Sequence, residues 1–321
     1  MSDIAVVGAG KAAASLANGL VTKNENVACI ISKSLRSARD LANRLGIRNY
    51  SDSLADIPKW IRIVFIAVPD RAISRIAEEL SMYDLDFPNT LFCHLSGAQN
   101  ISLLEPLREK GAHTASLHIM QSFPSKNFVE LRGSFAAVES STPEAEKTFF
   151  ELAEKLEMRP FVIGSEDKIF YHIAGVFASN FLIANLYHAQ QAFNKSRIEG
   201  VDFFSLIKPI VKSTLANADK DGVIRALSGP VERNDLEVVK NHLSVLKKAS
   251  RENGEEGGMD NIYLNYICQS LSLLEITKIK NPSDTESYKK LRELLICELK
   301  EAVEREARCP KPKVHNNTKK P

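Results

Sequence analysis

The sequence predicts an α/β protein: a parallel sheet covered by helices in the first half, and an all-helical domain in the second. Three observations carry this. Short apolar runs alternate with helical patterns from Ile4 to Ile163, as successive βαβ units require. A glycine-rich turn, Gly8-Ala9-Gly10-Lys11-Ala12-Ala13, joins the first apolar run to the first helix. Beyond Gly164 the strand pattern stops and helix follows helix.

Ile4–Val7 reads as the first strand and Lys11–Val21 as a helix of small residues. Val27–Ser32 is a second strand, and Ser37–Leu45 a helix stopped by Gly46. Ile61–Val68 is apolar and β-branched, the mark of a central strand buried on both faces. Asp70–Leu80 follows as a helix with Ile73, Ile76 and Leu80 on one side. Thr90–Leu95, Ala115–His118, Phe135–Val138 and Phe161–Ile163 are further strands. The helix over Pro143–Leu156 opens with proline, where a missing N–H costs nothing. Later helices are expected over 167–194, 203–220, 236–251, 259–279 and 283–308. The expected organisation is therefore a nucleotide-binding domain at 1–165, a helical domain at 166–308 and a disordered tail at 309–321, with a glycine-rich loop at 252–258.

Composition narrows the function classes. The 321 residues suit two domains, and 44% of them are apolar. Lys and Arg number 42 against 40 Asp and Glu, a formal charge of +2, so charge offers no reason to expect nucleic acid or a membrane surface. The five cysteines stand singly, which argues against a disulfide framework or a zinc site. No signal-peptide pattern precedes the first strand, and a cytoplasmic protein is expected. The apolar stretch Ile169–Leu186 is interrupted by His172, Ser179, Asn180 and Asn185, which suit a buried helix of a soluble domain better than a membrane span. The Asn316-Asn317-Thr318 sequon lacks a secretory context.

The glycine-rich turn has the GxGxxA form of a dinucleotide fingerprint. Gly8 permits the tight turn, Gly10 lets the backbone approach a pyrophosphate, and Ala13 keeps helix and strand close. The other reading is a glycine turn without ligand. An acidic residue at the end of the second strand would bind a ribose 2′-hydroxyl. The chain has Ser32-Lys33-Ser34-Leu35-Arg36 instead, and hydroxyls with cations suit the 2′-phosphate of NADP. A solvated basic turn is the bland alternative. Val68-Pro69 ends a central strand at the ligand-binding edge of such sheets, although Pro69 also suits a helix start.

Two polar clusters stand out. His94 to Ala98, with Ser96, and Leu117 to Pro124, with His118 and Gln121, lie at successive strand ends. His172, Ser179 and Asn180 lie seven and eight residues apart and share a helical face. A histidine and an amide on a cleft can hold a carbonyl oxygen and deliver its proton; a hydrogen-bonded core histidine is the competing reading.

Leu95-Ser96-Gly97-Ala98, Ser116-Leu117-His118 and Gln121-Ser122-Phe123 carry a resemblance, joined by Tyr171-His172-Ile173-Ala174, Ala178-Ser179-Asn180, Leu227 to Asp235 and His242-Leu243. From Ile4 to about Leu295 the chain resembles Rossmann-like proteins with a helical C-terminal domain of unknown function, relatives of ketopantoate reductase, pyrroline-5-carboxylate reductase and deazaflavin-dependent NADP oxidoreductases. The resemblance implies NADP binding, a homodimer built through the helical domain, and reduction of a small 2-oxo or imino acid, ketopantoate first. A non-catalytic NADP-binding sensor or scaffold is the alternative. Ketopantoate reductases use a helical lysine followed by two asparagines. Here His172 stands at the lysine and Val176 at the first asparagine, with Asn180 matching the second. Lys168, one turn earlier, is a substitute, although a lysine at a helix start is ordinarily solvated. Asn234 replaces the usual glycine in the later loop. Arg233 suits a substrate carboxylate, and Asp235 a helix cap.

Overall fold

The computed structural model describes residues 3–252, 258–282 and 288–308. The loop read at 252–258, the start of the helix read at 283–308 and the tail at 309–321 fall wholly or partly outside them. The chain divides into two compact units, Met1–Ile183 and Ala184–Pro321.

The first unit is built on eight strands: β1 Asp3–Val7, β2 Asn26–Ile31, β3 Asn49–Ser51, β4 Ile63–Ile66, β5 Leu91–His94, β6 His113–Ile119, β7 Phe135–Ser140 and β8 Arg159–Val162. Their order is β3-β2-β1-β4-β5-β6-β7-β8. Helices α1 Lys11–Thr22, α2 Leu35–Leu45, α3 Ile73–Leu80, α4 Glu105–Arg108 and α5 Pro143–Lys155 connect them. The central strands alternate between two cores. Ile4, Val6, Ile63 and Phe65 enter one cluster, while Ala5, Val7, Val64 and Ile66 enter the other. A period of two, apolar on both sides, is what a sheet covered by helices on each face demands.

The sheet is not parallel throughout. β6 and β7 pair antiparallel, with Ser116 opposite Glu139 and His118 opposite Ala137. The segment between them contains no crossover helix, and without one the chain re-enters the sheet in the reverse direction. β3 and α4 were not expected from sequence. β3 is three residues at the sheet edge, and α4 a single turn. The expected helix over 70–80 begins as a 3₁₀ turn, Asp70–Ala72, before α3.

The first unit ends on a long helix in three parts: α6 Lys168–Gly175, a π-helical segment Val176–Phe181, and the start of α7 Leu182–Lys195. Expected to be buried, it is largely exposed. Phe170 is 75% exposed, Phe177 64% and Ile183 64%, and none of its most apolar window is buried. From Ile169 to Ile183 no residue of the helix is buried, because its side chains outnumber the contacts that the described residues of the first unit offer. By length and composition alone Lys168–Lys195 is apolar enough to cross a membrane.

The second unit contains α8 Phe203–Asp221, α9 Leu236–Glu252, α10 Gly258–Lys280 and α11 Lys289–Arg308. Val239, Leu243, Tyr263, Ile267, Leu274, Leu291 and Leu295 form its core. Asn234 adopts a φ of 54°, a conformation natural to glycine and tolerated by asparagine, which accounts for the exchange there. Asp235 Oδ1 accepts from the Val238 amide at 3.2 Å, the capping role expected of it.

Candidate functional site

Two cavities open at the carboxyl edge of the sheet, where ligands of such sheets bind: one at the reversal of strand order between β1 and β4, the other beyond the end of β6. The larger, about 680 Å³, follows the ends of β1, β2 and β4. Gly8 has a φ of 124°, and a β-carbon on it would stand 2.1 Å from the Ala67 carbonyl oxygen. No side chain fits there. Gly10, in contrast, has nothing within 4 Å of its β position, which leaves the backbone open to a close ligand. Gly10 also caps α1, whose first turn offers backbone N–H groups and the positive end of its dipole. These features fit a pyrophosphate.

Of the residues expected at this site, Gly8, Ala9, Gly10, Ser32, Lys33, Ser34, Val68 and Pro69 line the cavity. Ala13 is 1% exposed beneath the turn, the packing role expected of it. Lys11 and Ala12 are not among the lining residues. Neither is Arg36, whose side chain is 85% exposed and reaches toward Asp40 on the next turn of α2 at 3.8 Å. Sequence reasoning missed Arg71, Arg75 and Lys126, which place further cations around the cavity. The i, i+4 spacing of the two arginines directly after Pro69 was the available signal.

The second cavity, about 560 Å³, is lined by His118, Gln121, His172, Ser179 and Asn180, with Met120 and Phe123 among its apolar walls. The structure thus brings together residues read from two separate clusters. Pro124 lines this cavity and Lys126 the first, so the segment after β6 borders both. Ser179 and Asn180 lie on the π-helical segment, a distortion that recurs at functional sites. The His118 and His172 rings stand 6.0 Å apart, and His118 Nδ1 lies 3.1 Å from the Tyr171 hydroxyl. Burial, aided by the neighbouring His172, holds the His118 imidazole neutral with a pKa of about 4. Burial raises the Tyr171 hydroxyl to about 12.

Other expected residues take different places. Ser96 is absent from the lining. Its hydroxyl donates to Asp70 at 2.8 Å and accepts from the Ala98 and Gln99 amides. Beside it, His94 accepts from the Ser96 amide at Nδ1 and reaches the Asn100 carbonyl from Nε2. Lys168 is not solvated, as a helix-start lysine ordinarily is, but 1% exposed. Its amine donates to Ser116 Oγ at 2.6 Å and Glu139 Oε2 at 3.0 Å, and it lines neither cavity. Arg233 belongs to the second unit, is exposed, and lines neither cavity. Among the described residues no group of three or more His, Cys, Asp or Glu is placed to hold a metal.

Residues 2–119 match the family of Rossmann-like domains, and residues 134–263 a family described as a domain of unknown function, DUF2520. Several solved structures share the fold. BF3122 from Bacteroides fragilis, proposed as an NADP oxidoreductase, is 23% identical, with a TM-score of 0.72 over 85% of this chain and 97% of its own. Protein TM1727 from Thermotoga maritima is 26% identical, with a TM-score of 0.61 over 86% of this chain and 99% of its own. A pyrroline-5-carboxylate reductase from Coxiella burnetii is 17% identical, with a TM-score of 0.53 over 95% of this chain and 97% of its own. No curated protein matches the chain.

Proposed function

We propose that this chain, which joins a Rossmann-like domain to a DUF2520 domain, is an NADP-dependent oxidoreductase that reduces the oxo or imino group of a small acid. The carrying observation is the second cavity, which gathers His118, His172, Ser179 and Asn180 beside a dinucleotide-shaped groove on the same sheet edge. The oxidoreductases among the fold's relatives, including the pyrroline-5-carboxylate reductase, support the reading.

NADPH, when bound, supplies the hydride. The turn from Gly8 to Gly10 and the start of α1 would hold its pyrophosphate, and Ser32, Lys33 and Ser34 its 2′-phosphate, with Arg71 adding charge. His172 would deliver a proton to the substrate oxygen or nitrogen, and Asn180 would hold that atom by its amide. His118, kept neutral by burial, orients the substrate without competing for the proton. The apolar residues left exposed from Ile169 to Leu215 exceed what a monomer ordinarily shows, and a second copy of the chain covers them in this reading. The protein works in the cytoplasm.

The test is oxidation of NADPH by the purified protein with ketopantoate and a panel of small 2-oxo and cyclic imino acids. Saturable turnover with one of them, lost in His172→Ala and Asn180→Ala, is the expected result. NADPH binding without turnover across the panel would favour a sensor or scaffold instead. Full turnover by His172→Ala would remove the proposed proton donor.

A further inference from the structure

Helix α6 lies along strand β6 in register. Lys168 meets Ser116 at 2.6 Å. Four residues on and two residues on, the His172 ring stands 6.0 Å from that of His118. Gly175, three residues further, lies so close to Met120 that a β-carbon there would be 3.0 Å from its sulfur. The spacing on the helix is i, i+4, i+7, one face of an α-helix; along β6 and the residue that follows it, Met120, it is j, j+2, j+4, one face of a sheet. Between the first two rungs the lengths agree as well: four helical residues rise about 6.0 Å and two strand residues about 6.6 Å, so the buried junction and the histidine pair stay matched.

The rungs differ in burial. Ser116 is fully buried, Lys168 is 1% exposed and Glu139 5%. Glu139 sits opposite Ser116 on β7 and accepts from the Lys168 amine, the Ser165 hydroxyl and the Ile101 amide. The first rung is therefore a dry, charge-assisted junction joining α6 to two strands and to the residues just before the helix. The second rung is the histidine pair on the cavity, and the third is a close van der Waals contact. The outer face of the helix is exposed, and besides these rungs Tyr171 meets His118 Nδ1 at 3.1 Å and the Phe161 ring at 5.8 Å, both at the level of the cavity rather than at the dry end.

We propose that the buried junction of Lys168 with Glu139 and Ser116 is a positioning device that fixes the rotation and height of α6, and with them the place of His172 relative to His118. Lys168 and Glu139 are positioning residues, acting through His172 rather than touching substrate. This rests on the reading of His172 as the proton donor.

Removing one charge alone strands the other in the interior, so single changes here confuse position with folding. The double variant Lys168→Met with Glu139→Gln avoids this. The glutamine oxygen still accepts from Ser165 and Ile101, its amide nitrogen replaces the lysine as donor to Ser116, and the methionine fills the lysine's volume. In the full-length protein this variant is expected to bind NADPH with unchanged affinity and to keep its KM, while kcat falls about a hundredfold, as an ångström-scale misplacement does. In the same protein, the NMR cross-peaks between the His118 and His172 ring protons are expected to weaken. An unchanged kcat together with unchanged ring signals would overturn the proposal. If the wild type turns over no substrate, the proposed function fails, but the ring signals still decide the positioning claim. Should the double variant not fold, Ser116→Ala carries the test. It removes one of the two acceptors of Lys168, and the same readouts are expected to move the same way by a smaller amount; their constancy would equally overturn the claim.

Discussion

The ring of His118 closes on Gly97: a β-carbon there would stand 2.6 Å from its Nε2 and Cδ2. No side chain but hydrogen fits between the end of β5 and this imidazole. Gly97→Ala must push the ring into the cavity or tilt it away. The cost of such overpacking is about 1–3 kcal/mol of stability. Turnover is expected to fall at least tenfold while NADPH affinity stays unchanged, since Gly97 lies outside the nucleotide groove. Paired calorimetry and steady-state kinetics check this; an alanine variant with full kcat would show that the ring's position is immaterial.

The other close approach has the opposite signature. Gly8→Ala adds a methyl group 2.1 Å from the Ala67 carbonyl oxygen at a φ of 124°. Helix α1 must shift from β4, and NADPH affinity is expected to drop by two orders of magnitude or more, with destabilisation of several kcal/mol from strain and clash together. Isothermal titration reads the first quantity and chemical denaturation the second. Retained nanomolar or micromolar binding would argue against the phosphate site.

Preference for NADP over NAD is expected to rest on Lys33 and Arg71 rather than on Arg36, which points out of the groove toward Asp40. Replacing Lys33 or Arg71 by alanine should weaken NADPH about tenfold and leave NADH nearly unaffected, the scale of one charge-assisted contact. Arg36→Ala should change neither. Equal losses for both nucleotides would place these cations elsewhere than at the 2′-phosphate.

Acid should destabilise the fold in a defined window. Burial, reinforced by the Lys168 charge, holds His94 at about 4, and burial beside His172 holds His118 at about 4, against an ordinary 6.5. Below 6.5 the unfolded chain takes up these protons and the folded protein does not. Stability is therefore unaffected above 6.5 and lost as pH falls toward 4, by about 1.4 kcal/mol per pH unit for each imidazole. Melting temperatures across this range should drop, and His94→Asn should flatten the fall by one proton's share. A variant with the same acid slope as the wild type would exclude His94 as a source.

A second copy over the exposed helices implies a mass in solution of twice 35.6 kDa. Ile210, 67% exposed on α8, is far in sequence from every lining residue of the two cavities. Ile210→Glu is expected to shift light-scattering mass toward the monomer. A monomeric wild type would exclude the dimer, and recovery only with detergent or lipid would point to a membrane surface.

The sheet was legible wherever a strand is apolar on both faces. β1, β2, β4 and β5 announce themselves by composition, while β3, Asn-Tyr-Ser at an edge with one neighbour, carries no apolar pattern to read. The cavity residues His172, Ser179 and Asn180 were legible because helical spacing is local. The place of Lys168 was not, since its acceptors lie 52 and 29 residues away on two strands whose pairing is antiparallel. In retrospect β6 offers a hint. Thr114-Ala115-Ser116-Leu117-His118 alternates, with Ala115 and Leu117 in the core and Ser116 and His118 on the face that meets α6. Arg71 and Arg75 needed the three-dimensional turn at Pro69 to be seen as neighbours of the groove.

The π-helical segment gives the helix a phase that can be counted. In an uninterrupted α-helix seven steps of about 100° come nearly full circle, so the residue in line with His172 would be Ser179. A wider turn advances less per residue, and the line passes instead toward Asn180, one position later. Such a turn is equivalent to one supernumerary residue lodged in the ladder. Loss of a single codon between 176 and 178 would return the helix to strict α geometry and leave Asn180 and every later side chain in phase with His172, whereas a codon lost elsewhere along the helix, with no wide turn to absorb it, would swing them by about 100°.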